Sequence, residues 1–454
     1  MVFMHLKFTK SVCPACFEEI ESEIVCRDGK VYIEKECEEH GEFNALHLWD
    51  DIDLFNVQDS LFSNIKTGPN GVIIHLTDRC NMGCPFCFTK GNSSLHDLED
   101  NPSLDVIIDK IKRFERSFSF STIFLFGGEP TLRSDLPQII NTIVQMGYET
   151  CLFTNGIRLC DREYVNTLEE SGLGYVVLQV DSLDREVNKK IRGKDVLQKK
   201  LRALDNIKKT SITVDLFSVV LGSKNEEELS DILEFCRSNS ETINNIYLSS
   251  ISYVGKASEV EEEYRQITNS ERVKLVTDQT CIRRKDFIWS TAFDRAFCEF
   301  IEDLVGLEIK HLAVCDMVCY VYNSGKIESI NKTVDLKNLT FLLRKSSAIL
   351  KSERKSIAYI KVFTNLFNEL LSGNLVNDWK KFSKILFSGL KSFFPLLNSK
   401  SVENRFERIF RVIITQFQDR YNLDFETFNN CNLYAELPNG ELGSFCKRNA
   451  CGTN

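Results

Sequence analysis

The sequence predicts an α/β protein built on an open, six-stranded β/α barrel, with a metal-binding ribbon before it and a cysteine-containing region after it. Three observations lead there. Short β-branched or apolar runs alternate with longer helical periods from Gly71 to about Tyr253, three thiols crowd the loop after the first of those runs, and a second cysteine group with tetrahedral-metal spacing opens the chain.

The barrel strands are expected at Val72–Thr77, Thr122–Phe126, Glu149–Phe153, Tyr175–Val180, Thr213–Val220 and Asn245–Ser250. Helical periods at Asp105–Arg116, Asp135–Met146 and Glu226–Arg237 fall between them. Six repeats are too few to close an eight-stranded barrel and enough for a partial one. The expected domains are residues 1–65 for the ribbon, 66–255 for the barrel and 256–454 for the C-terminal region, with a helical insertion at about 335–417.

Composition narrows the function classes. At 454 residues and 43% hydrophobic the chain can bury a large core. A net charge of −9 gives no basic footprint for nucleic acid. No apolar run reaches the ~18 residues that span a bilayer, and the opening residues do not read as a secretory signal, so a cytoplasmic location is expected. Seventeen cysteines, an odd number, then point to metal or Fe–S ligation rather than a disulfide framework. Cys151, Cys160 and Cys236 lie in apolar patterns and read as core.

The first barrel strand runs into Cys80-Asn81-Met82-Gly83-Cys84-Pro85-Phe86-Cys87, at the strand end where barrel active sites sit. A cubane cluster normally takes four cysteines, so three leave one iron open to substrate or cofactor. The bland alternative, a zinc knuckle or buried thiols, would want a fourth ligand nearby, and only His75 is close in sequence. Asp78, Arg79 and Asn81 read as loop-forming residues.

This Cys-x3-Cys-x2-Cys loop, with an aromatic residue before its last cysteine, resembles the signature of the radical S-adenosylmethionine (SAM) superfamily. The resemblance implies a [4Fe–4S] cluster whose open iron chelates SAM, and reductive cleavage of SAM to methionine and a 5′-deoxyadenosyl radical. A ferredoxin- or flavodoxin-type electron donor is implied with it. Gly127-Gly128-Glu129-Pro130, after the second strand, resembles the motif that holds the SAM amino group, for which a carboxylate suits an ammonium. Thr154 and Asn155 after the third strand, and Gln179 and Asp181 after the fourth, match further SAM- or substrate-contacting places.

In the ribbon, Cys13, Cys16 and Cys37 are the expected ligands, with His40 or Cys26 as the fourth, for zinc or a mononuclear iron. Cys315, Cys319, Cys431 and Cys446 are candidates for auxiliary [4Fe–4S] clusters, with Cys281, Cys298 and Cys451 as possible additions. The ribbon, the barrel and the closing run from Asp419 to Cys446 are similar to one group of radical SAM proteins, which includes archaeal tetraether lipid synthases and pterin methylases of methanopterin synthesis. Asp316, Met317 and Val318 depart from that group, where Cys-His-Pro-His-Cys is frequent.

The reading that follows is C–C bond formation at an unactivated carbon, by coupling or methylation, with a lipid chain favoured. Alternatives are methyl transfer to a reduced pterin or other small heterocycle, peptide modification, and a non-catalytic Fe–S electron carrier. The stripe Trp379, Phe382, Ile385, Leu386, Leu390 and Phe393, flanked by lysines, fits either a packed helix or a peripheral contact with the inner membrane face.

Overall fold

The computed structural model describes residues 3–62, 68–89, 101–306, 316–323, 325–373, 375–376, 378, 382, 409–429 and 431–450. Cys315, Cys451, Trp379 and most of the lysine- and phenylalanine-rich stripe lie outside them. The chain divides into two compact units: Met1–Ile232 with Tyr247–Leu275 and Ile414–Asn454, and Leu233–Ile246 with Val276–Ile413. These units cut across the three consecutive segments expected from sequence. The C-terminal stretch clusters with the ribbon and barrel because its hydrogen bonds run there.

In the first unit, β1 (Phe3–Val12), β2 (Glu19–Arg27), β3 (Lys30–Cys37) and β4 (Gly41–Asp51) form an antiparallel sheet in sequence order. Positive φ at Phe17 and Gly41 turns the chain tightly after β1 and after β3, at one end of the sheet. The opposite end carries the β2–β3 hairpin with Asp28 and Gly29. A short helix, α1 (Ile52–Phe62), leads to the barrel.

The barrel strands are β5 (Gly71–His75), β6 (Thr122–Phe126), β7 (Glu149–Thr154), β8 (Tyr175–Gln179), β9 (Thr213–Val220) and β10 (Ile243–Ser250), neighbours in that order. The pairs from β5 to β9 are parallel. Helices α2 (Leu104–Ser117), α3 (Leu136–Gln145), α4 (Arg162–Glu170), α5 (Arg185–Arg192), α6 (Leu197–Ile207) and α7 (Leu229–Ser238) connect the strands, as the alternating periods predict, and α8 (Asn269–Gln279) follows. The free edge of β5 is covered by β15 (Leu433–Glu436), which pairs in parallel with Gly71 and Val72 and carries β16 (Leu442–Ser444) on its far side. Covering that edge removes a row of open backbone groups.

Two short helices, α12 (Phe425–Asn429) and α13 (Phe445–Ala450), belong to the same stretch. Thr9 donates to Asp424 at 2.7 Å, and buried Lys35 donates to the Arg420 carbonyl at 2.6 Å. The tail is therefore pinned to the ribbon as well as to β5.

The second unit contains β11 (Ile288–Trp289), β12 (Met317–Asn323), β13 (Ile327–Ser329), β14 (Ile409–Ile414) and three helices, α9 (Ser290–Val305), α10 (Leu336–Ser352) and α11 (Lys355–Leu371). Its core gathers Ala296, Phe300, Leu343 and Val362 from all three helices. No helix among the described residues is long and apolar enough to cross a membrane.

Candidate functional site

The register of the barrel puts three rows of side chains inside. Ile73, Phe124 and Cys151 align in one row, and His75, Phe126, Phe153, Val177 and Asp215 in the next, followed by Gln179 and Phe217. Their neighbours of opposite parity, such as Ile123, Leu125, Leu152 and Leu216, are fully buried under the helices. Phe124, Phe126, Phe153, Phe217 and Tyr247 instead keep partial exposure, so solvent reaches the barrel interior. The rings follow one another along the wall: Phe126 to Phe153 at 5.5 Å and Phe153 to Phe217 at 6.4 Å, both edge to face, and Phe217 to Tyr247 at 6.3 Å, near parallel, between centroids. Phe88, Phe417 and Phe445 extend the cluster from the cysteine loop and the tail.

The Cys80–Cys87 loop leaves β5 at the mouth of this interior, and its shape is fixed by neighbours. The Gly128 amide donates to the Thr77 carbonyl at 2.6 Å and the Glu129 amide to the Arg79 carbonyl at 2.7 Å. Side chains at Gly127 and Gly128 would put a Cβ 2.4 Å from the Thr77 oxygen and 2.3 Å from the Arg79 oxygen, so only glycine permits that approach. Asn155 Nδ2 donates to Asn81 Oδ1 at 2.8 Å, and the Lys256 amide to the Cys87 carbonyl at 2.9 Å. Asn81 is thus a tie point and not merely a loop former. Phe86, the aromatic residue of the motif, is buried against Ile191, Leu221, Ile251 and Tyr264 and anchors the loop.

The three thiols are each partly exposed. Burial first, then the nearby Glu129, Cys84 and Cys87, push the Cys80 thiol up to about 12. A thiol that resists ionisation alone is relieved by a bound cation. The donor set therefore fits a cluster held by three cysteines.

Glu129 is held by donors from the ends of two strands. Its carboxylate is 1% exposed and turned inward, accepting from the Thr131 amide and hydroxyl, from Thr154 Oγ1 at 2.7 Å and from the Asn155 amide at 2.8 Å. It splints the ends of β6 and β7, because a buried carboxylate must be matched by donors. Asp181 is likewise fully buried. It accepts from Gln179 Nε2, from the Val219 amide at 2.9 Å, and from Arg192 Nε and Nη2 at 2.8 and 2.9 Å. Arg192 in turn stacks on the Phe86 ring at 4.5 Å. Arg192 of this network carries no motif and was not foreseen.

In the ribbon, Cys13, Cys16, Cys37 and His40 present one ligand atom each, all within 4.8 Å of one another. Cys16 Sγ is 3.9 Å from Cys37 Sγ, and His40 Nδ1 is 3.5 Å from Cys37 Sγ. Cys26 is not among them: it sits in β2 opposite Met4 and Val31, toward the other end of the sheet. Among the described residues no other group of three or more such side chains is drawn together so tightly. Cys431 bonds locally to Leu433, Cys446 packs beside Val12 and Leu423, and Cys319 in the second unit is fully buried. Cys298 is buried in α9 and Cys281 is exposed.

Comparison with known proteins decides the family. The radical SAM superfamily model matches residues 74–236, and a GTP 3′,8-cyclase described as probable, from Archaeoglobus fulgidus, is 30% identical over 46% of this chain and 71% of its own length. The chain belongs to the radical SAM superfamily. The model of the HMPTM N-terminal zinc ribbon domain matches residues 5–49. The 7,8-dihydro-6-hydroxymethylpterin dimethyltransferase of Methanocaldococcus jannaschii is 28% identical over 98% of this chain and 93% of its own. Among solved structures, Streptococcus suis SuiB bound to S-adenosylmethionine aligns at TM-score 0.34 and 21% identity, over 44% of each chain. This radical SAM protein is an enzyme of the partial-barrel type with a ribbon before the barrel.

Proposed function

We propose that this radical SAM enzyme forms a C–C bond on a reduced, planar heterocycle of the pterin class, by radical methylation. The observation that carries this reading is the inner wall of the barrel, where aromatic rings alternate with Asp215, His75 and Gln179. Flat rings stack on flat rings, and inward hydrogen-bonding groups suit the polar edge of a heterocycle. A lipid chain would leave those groups desolvated and unmatched, at a cost of about 1–3 kcal/mol each. The full-length likeness to a pterin dimethyltransferase supports the same substrate class.

In this reading Cys80, Cys84 and Cys87 hold the [4Fe–4S] cluster, and Gly127–Pro130, Thr154, Asn155 and Gln179 border the SAM site, with Glu129 and Asp181 shaping it from behind. The bound cluster and SAM supply one-electron cleavage that yields a 5′-deoxyadenosyl radical. The chain's own residues hold the substrate below the mouth, exclude bulk water and fix the loop. His75 Nε2 lies 2.7 Å from Asp78 Oδ1 while its Nδ1 is buried without a hydrogen-bond partner, which leaves a polar atom for substrate. Cys13, Cys16, Cys37 and His40 hold a structural zinc.

The test is anaerobic incubation of the reconstituted protein with SAM, dithionite and either a 7,8-dihydropterin or a long-chain lipid. Formation of 5′-deoxyadenosine with a methylated pterin is the expected result. A lipid product without a pterin product overturns the reading.

A further inference from the structure

The tail helix α13 lies against the inner wall of the barrel at β5. Phe445, its first residue, is buried against Ile73 of β5 and Ala435 of β15, with its ring 5.8 Å from Phe126 and 5.7 Å from Phe88. Two contacts fix the direction of the helix. Ser444, just before it, pairs with Tyr434 near the start of β15, whereas Arg448 Nε donates at 3.1 Å to the carbonyl of Glu436 at the end of that strand. Because β15 runs parallel to β5, α13 climbs toward the end of β5 that carries the cysteine loop.

Residues four apart share a helix face, so Asn449 points the same way as Phe445, about 6 Å nearer the mouth. Asn449 is 4% exposed, and neither its Oδ1 nor its Nδ2 has a hydrogen-bond partner. Among the described residues no other side chain leaves two buried polar atoms unmatched. A buried carboxamide bonded to nothing is costly, so it persists where a ligand matches it. His75 Nδ1 is a further such atom. His75 follows Ile73 on the inner face of β5 and pairs with Phe126, which places it in the stretch of wall that Phe445 covers.

A carboxamide offers a donor and an acceptor side by side, which matches an edge where a ring N–H adjoins a ring carbonyl, as in a lactam. The rings around Phe445 supply faces on which such a heterocycle stacks. Resting on the reading of the substrate as a reduced pterin, we propose that Asn449 is a specificity-determining residue that binds the lactam edge of the heterocycle, with His75 Nδ1 as a further contact.

The experiment is calorimetric titration of 7,8-dihydropterin, and of its 3-methyl derivative, in which the lactam N–H is blocked, into the anaerobically reconstituted holoenzyme with SAM and no reductant. Wild type is compared with Asn449→Leu, of similar volume, and Asn449→Ala, with the thermal midpoint of each. Wild type prefers the unmethylated ring, and both substitutions cut that preference about tenfold. The midpoint of Asn449→Leu without heterocycle equals or exceeds that of wild type, since no bond of the free protein is lost. A preference that survives both substitutions overturns the inference, as does a lowered midpoint with unchanged affinity, which marks Asn449 as structural. A wild type that binds no dihydropterin instead defeats the reading of the substrate, a result visible before any variant is made.

Discussion

The two cysteine sites of the first unit are built on opposite plans. The ribbon brings four ligand atoms within 4.8 Å of one another at one end of a small sheet, a closed set that leaves nothing for a substrate. The barrel loop offers three thiols, partly exposed, beside an accessible aromatic interior. A closed site stabilises the fold, and an open one can do chemistry. The difference lies in ligand number and surroundings, not in residue type.

The largest expected effect would break the comparison on the open side. Replacing Cys80, Cys84 and Cys87 together by alanine abolishes 5′-deoxyadenosine formation while the ribbon zinc, counted by mass spectrometry, stays at one per chain. Loss of zinc together with iron would mean that the two sites are not independent. On the closed side, Cys37→Ser should lower thermal stability by several kcal/mol and release zinc, because structural metal binding contributes folding free energy directly. His40→Ala tests the fourth ligand and should release zinc where Cys26→Ser does not.

An intermediate effect probes the splint between β6 and β7. Glu129→Ala strands the Thr131, Thr154 and Asn155 donors and should cost about 3 kcal/mol in denaturant unfolding, with weaker SAM binding measured by calorimetry. Unchanged stability would show that water replaces the carboxylate.

The smallest effect concerns the tail strand. Glu436 on β15 meets Lys110 at 2.7 Å and Arg113 at 2.6 Å, both on α2. Burial opposes ionisation of Glu436, but the bonds to Lys110 and Arg113 outweigh it and hold the carboxyl below its usual value. A carboxyl with a depressed folded pKa stabilises above its unfolded pKa, so this contribution is lost as pH falls through the folded value. Partial exposure limits it to about 1 kcal/mol or less. Acid unfolding of Glu436→Gln beside wild type, showing a smaller loss between pH ~5 and ~3, checks it.

Much of this was legible in the chain. The six barrel strands emerge within a few residues of where alternation of apolar runs predicts them, because a strand buried on both faces must be nearly continuous in hydrophobic residues. The three-cysteine loop and the ribbon thiols are local patterns whose spacing carries their chemistry. Phe86 was readable as part of a motif, but not as the loop's anchor, since its partners come from segments more than a hundred residues away.

What sequence alone determined was the family, the cofactor chemistry and the element order, each set by short-range spacing and periodicity. Tertiary structure decided the rest. It chose His40 over Cys26, since two hairpin turns meet at one end of a sheet. It turned Glu129 and Asp181 inward, and it sent the tail to the edge of β5. It also placed Arg192 between Asp181 and the Phe86 ring of the cysteine loop. Long-range contacts such as these depend on which surfaces meet when the chain closes, and no local pattern encodes that.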